Sequence, residues 1–201
     1  MAVSELNLAV NQGNVALRNR PLGLLGMIGA PTLMVQALCI DIAKESQSVL
    51  TKQLVAFLGV LYIGGWICGA IGMFRQNAYG ESKTSKIVFT VQMILLLLAF
   101  MFSVQETFGI SYENGGGIFF AVCDAGYPLS HLFMIVIGIF VWRTKIWRGF
   151  PRLAPFLVGA ALPLTFALMP LLGMSVGFLS FAGLTTIGLG KIGYSVYSNR
   201  K

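Results

Sequence analysis

Long stretches without a single charged side chain set the terms on which this chain can fold. No lysine, arginine, aspartate or glutamate interrupts Leu22–Ile40, Leu54–Phe74 or Ile87–Val104, and none occurs across the 38 residues from Leu153 to Gly190. A helix rises about 1.5 Å per residue, so roughly 20 such residues cross the ~30 Å hydrocarbon core of a bilayer. The longest stretch would reach about 57 Å as one helix, too far for a single crossing. Pro170 and Gly173 supply a break near its middle. The pattern predicts an all-α membrane protein with six transmembrane helices, over Leu22–Ile40, Leu54–Phe74, Ile87–Val104, Tyr127–Trp142, Ala154–Met169 and Leu171–Gly190.

Only 10% of the 201 residues are charged and 56% are hydrophobic, against about 25% charged in a soluble domain. That is too little charge to cover a water-facing surface. The net charge of +7 does not point to nucleic acid, because the basic residues are not interleaved with aromatics and form no groove-reading motif. Their placement is topological. If successive connections alternate sides, Arg18, Arg20, Arg75, Lys83, Lys86, Arg143, Lys145, Arg148, Arg152, Lys191, Arg200 and Lys201 share one side, leaving only Lys44 and Lys52 on the other. Lysine and arginine collect on the cytoplasmic side, so both termini are expected to be cytoplasmic. Residues 1–20 then read as a loose polar cytoplasmic tail, 21–190 as the six-helix domain and 191–201 as a basic cytoplasmic tail. A signal peptide is the rival reading of the N-terminus, but the 19 apolar residues from Leu22 exceed the ~7–15 of a signal core. The setting expected is a bacterial inner (plasma) membrane, crossed several times, with the basic rim against anionic lipid head groups.

Gly65, Gly69 and Gly72 form a small-residue stripe on the second span, a face along which another helix approaches closely. Packing within the bundle is the first reading of it, and a homo-oligomer or another membrane protein the second. Cys39, Cys68 and Cys123 show no CxxC or zinc-ligand spacing, which leaves a Cys39–Cys123 disulfide open. No acid or base lies in the middle of a span, which argues against an ion-coupled pump. Gln36 and Gln92 are expected to bond neighbouring helices.

The candidate site is the interval from Glu106 to Trp142. It reads as a long outer loop between the third and fourth helices, carrying Glu106, Glu113 and Asp124, followed by a helix that Pro128 opens. Tyr127 then stands at the membrane surface, and His131, the only histidine, one turn deeper. Gln36, Tyr127, Ser130 and His131 are the ligand-binding candidates. His131 with Glu106 and Asp124 is the weak catalytic candidate, without the ligand spacing of a metal site. No motif names a cofactor. The leading expectation is a structural or accessory protein, or a binder of lipid or another apolar ligand within the bundle. A facilitative transporter or lipid-handling protein comes second, and a membrane enzyme at the outer surface third.

Overall fold

Uncharged apolar sequence in hydrocarbon must satisfy its backbone polar groups internally, and the helix does so within each segment. In the computed structural model, which describes residues 2–46, 48–112 and 114–198 except the side chains of 2–18, 41–44 and 172, the chain is helical nearly throughout. The helices are α1 (Ala2–Glu45), α2 (Val49–Arg75), α3 (Lys83–Thr107), α4 (Gly117–Thr144), α5 (Ala154–Leu172) and α6 (Met174–Ser198). All six contain a segment long and apolar enough to span a membrane, as a multi-pass membrane protein requires. Glu113, Arg200 and Lys201 lie outside the described residues, and so do the side chains of Arg18, Asp41 and Lys44.

Ser48 and Ser82 cap α2 and α3, each hydroxyl accepting from a backbone N–H three residues on. The predicted helical hairpin is present, and it turns on Gly173 alone. With φ 84° and ψ 162°, that residue occupies a region of backbone space open essentially to glycine.

Several boundaries differ from expectation, among them that of the fifth span, which runs through Pro170 to Leu172 instead of ending at Met169. Helix α4 begins at Gly117, ten residues before Tyr127, and takes Pro128 into its interior. The connection between α3 and α4 therefore shortens to residues 108–116. An internal proline costs a soluble helix about 3 kcal/mol, which made Pro128 read as a start; membrane helices tolerate it because neighbours re-satisfy the freed carbonyl. Residues 2–20 continue α1 helically instead of forming a loose tail, since Gly13 is the only strong helix breaker before Pro21. Helix α6 likewise absorbs Lys191 and runs to Ser198.

Each helix packs against its neighbours in sequence, and α6 closes on α1 to complete a ring, with α2 also meeting α6. The helices alternate in direction: Gly29 faces Gly65 across α1 and α2, and Gly26 faces Gly193 across α1 and α6. The α1–α2–α6 side is the tight one. A Cβ added to Gly65 would fall 2.7 Å from the Gly29 Cα and 2.9 Å from the Leu25 carbonyl oxygen. Gly69 and Gly72 face Ile192 and Val196 of α6. The stripe Gly65, Gly69, Gly72 is thus occupied within the chain, so the face suggested for an oligomer is covered by α1 and α6. On the opposite side the ring is open at its middle, because no Cα of α2 comes within 8 Å of one in α4.

Close backbone approach predicts a sharp contrast between adjacent glycines. Gly65→Ala should destabilise the bundle by about 1–3 kcal/mol through overpacking. Gly64→Ala, whose Cβ would meet only a Phe100 ring carbon at 3.9 Å, should be neutral or stabilising by about 0.5–1 kcal/mol. Unfolding curves in detergent micelles measure both.

Candidate functional site

The open centre between α2 and α4 is filled by side chains. Tyr62 and Trp66 enter from α2, Tyr127 and His131 from α4, each pair one turn apart, and Phe181 enters from α6. Tyr62 and His131 are wholly buried, with Trp66 and Phe181 nearly so. The His131 ring lies 4.7 Å from the Trp66 ring in an edge-on contact, and 4.8 Å from both Tyr127 and Phe181. Edge and tilted contacts of this kind set the positive rim of one ring against the negative face of another.

Both imidazole nitrogens have partners. Nδ1 lies 3.0 Å from the Tyr127 carbonyl oxygen, one turn back on α4. A carbonyl only accepts, so Nδ1 carries the proton. In the neutral ring that leaves Nε2 as an acceptor, and the Tyr62 hydroxyl, 3.1 Å away, donates to it. This hydrogen bond joins helices whose backbones do not touch, and the Tyr62 hydroxyl is also within hydrogen-bonding reach of the Tyr127 hydroxyl. The deeper start of α4 also relocates this group: His131 is the fifteenth residue of a 28-residue helix, near its middle and not one turn beneath an outer surface.

The other predicted site residues are dispersed. Ser130 bonds back to the Gly126 carbonyl at 2.7 Å and is satisfied within its own helix. Gln36 lies beside Gly59 and Ser103, at the junction of α1, α2 and α3. Asp124 accepts from the Tyr112 hydroxyl at 2.7 Å, a bond that holds the Tyr112 phenol above its ordinary pKa because ionisation would put two negative charges together. Glu106 is within electrostatic reach of Asp124, but neither carboxylate is bonded to His131. Among the described residues no three metal-ligating side chains of the His, Cys, Asp and Glu types converge, and Cys39, Cys68 and Cys123 are free thiols. Gln92 also departs from expectation, since its buried amide has no partner on a neighbouring helix.

A second feature adjoins the aromatic group. An apolar cleft of about 340 Å³ opens between the end of α1 and the α5–α6 turn, lined by Leu38, Met169, Met174, Phe178 and Leu179, with Ser175 as a polar side chain. Leu38 and Met174 are largely exposed, so its mouth is on the side of the bundle. Phe178 stacks at 6.1 Å on Phe181, which links the cleft to the His131 group.

Tyr62, Trp66 and Phe181 were not singled out from the sequence. Their signal was nonetheless there: Tyr62 sits at the middle of a span, whereas tyrosine favours the membrane interface. A tyrosine hydroxyl in hydrocarbon requires a partner, and His131 is the one histidine in the chain and lies inside a predicted span.

Tyr62→Phe should leave Nε2 buried and unpaired, costing about 1–3 kcal/mol. Adding His131→Phe to that variant should cost less than in the native protein, with a coupling of about 0.5–3 kcal/mol in a double-mutant cycle. Additive losses would place the two side chains apart.

Comparison with protein-family models, with curated proteins and with solved structures returns no match.

Proposed function

We propose that this multi-pass protein holds the hydrocarbon chain of a lipid or isoprenoid in the cleft between α1 and the α5–α6 hairpin, as an accessory component of an inner (plasma) membrane. Its basic end faces the cytoplasm in this reading. The cleft is the observation that carries it: a groove of about 340 Å³ on the side of the bundle whose lining side chains, Ser175 apart, are apolar. Hydrocarbon gains nothing by leaving lipid for another apolar surface, so any preference must come from shape and dispersion contacts. Met169 and Met174 suit that task, because methionine is flexible and polarisable and fits irregular chains.

Facilitative transport is supported less. Tyr62, Trp66, His131 and Phe181 occupy the middle of the ring, and Tyr79 and Trp147 are buried under its basic end. Chemistry at His131 is supported least, because both of its nitrogens are engaged and neither Glu106 nor Asp124 touches it.

Lipid analysis of the protein purified in mild detergent tests the proposal. The native chain should retain an acyl or isoprenoid lipid enriched over the bulk extract. Leu179→Trp or Ser175→Trp, which fill the groove, should cut that retention at least about threefold through lost dispersion contacts. Retention equal to that of bulk lipid, or unchanged by both substitutions, would count against the cleft as a binding site.

A further inference from the structure

At the basic end two loops fold under the ring. The Gln76 amide nitrogen donates to the Ser195 and Val196 carbonyls of α6 at 3.4 and 3.1 Å, while its oxygen accepts from the Trp147 indole N–H at 3.0 Å. Thr144 donates to the Ala78 carbonyl at 2.9 Å. These bonds join the α2–α3 loop, the α4–α5 loop and α6 into one fixed floor. Over it lies an open polar pocket of about 460 Å³, lined by Gln76, Asn77, Glu81, Lys145, Ile146 and Arg148.

The charges in this pocket are unequally engaged. Glu81, the one acid in its lining, accepts from the Asn77 side-chain nitrogen at 2.7 Å. Lys145 and Arg148 are exposed and have no carboxylate partner among the described residues. Asn77 at φ 56° and Lys145 at φ 55° are also the two non-glycine residues with left-handed backbone among those described, and both line this pocket. Asparagine is common at that position after a helix; lysine is not, and glycine would be accommodated there at lower cost. The chain thus keeps an ammonium group at a backbone position suited to glycine, beside an unpaired guanidinium.

We propose that this pocket binds a phosphate group, carried on an anionic lipid head group or free in solution, with Lys145 and Arg148 as its two cations. Arginine and lysine both recognise phosphate, the first as a planar fork and the second as a point charge. The carboxyl ends of α2 and α4 point here and oppose an anion. The two side chains must therefore supply the attraction, which makes binding sensitive to salt. Glu81 limits the affinity through its own negative charge.

The test uses the full chain in non-ionic detergent, titrated at matched ionic strength with radiolabelled inorganic phosphate and, separately, with short-chain phosphatidylglycerol. Saturable binding of both probes assigns recognition to the phosphate itself; saturable binding of the lipid alone assigns it to a membrane head group. Arg148→Ala and Lys145→Gly should each weaken binding about tenfold. Lys145→Gly suits the left-handed backbone, so loss of fold does not obscure the result. Glu81→Gln should tighten binding. Absence of saturable binding for both probes overturns the proposal, as does undiminished affinity in Lys145→Gly and Arg148→Ala.

Discussion

The hydrogen bond from Tyr62 to His131 holds together the part of the ring where backbone cannot. Helix α1 meets α2 and α6 through glycines with backbone against backbone, and α6 sets Ile192 and Val196 against Gly69 and Gly72 of α2. Helices α2 and α4 stand too far apart for that, and a gap of this size must be filled or the ring would collapse. Aromatic side chains fill it, and their polar atoms must then be satisfied where neither water nor lipid offers a partner. Tyr62 and the Tyr127 carbonyl satisfy both nitrogens of His131. A bulky polar centre and a small apolar seam are therefore two halves of one packing solution.

The two ends of the bundle differ in chemistry as much as its two sides differ in packing. At one end Arg20, Arg75, Lys83, Lys86, Arg143, Lys145, Arg148 and Arg152 surround loops whose Tyr79 and Trp147 are buried. Arg152 lies over the Trp142 ring at 3.8 Å and bonds its carbonyl, so part of this charge also fastens the end of α4. At the other end the connections are residues 46–48, residues 108–116 and the single residue Gly173. Large apolar side chains such as Phe108 and Ile118 are exposed there. The proposed phosphate pocket belongs to the first end and the proposed lipid cleft to the second.

The architecture was legible because charge and hydrocarbon do not mix: six uncharged segments gave six helices, and the hairpin followed from a stretch too long for one crossing with Pro170 and Gly173 near its middle. The position of α4 was not legible. A proline after a polar interval reads as a helix start by rules drawn from water, and in hydrocarbon the same residue is carried inside the helix. That displacement moved His131 from near a surface to the middle of the ring and parted it from Glu106 and Asp124. The partners of His131 were hidden because a ring closure sets them 69 residues away in the chain, and no local periodicity encodes which helices face one another across a gap. The glycine stripe was legible as a packing face, while its occupants became visible only once α1 and α6 were placed.

The bonding of His131 decides whether α2 and α4 are joined across the ring, and the presence of one histidine in the chain makes that directly measurable. Nitrogen NMR of the protein labelled only at histidine should show a proton on Nδ1 and a bare Nε2, with the Nε2 resonance moving in Tyr62→Phe. A proton on Nε2, or an Nε2 resonance indifferent to Tyr62→Phe, would contradict the bond across the ring.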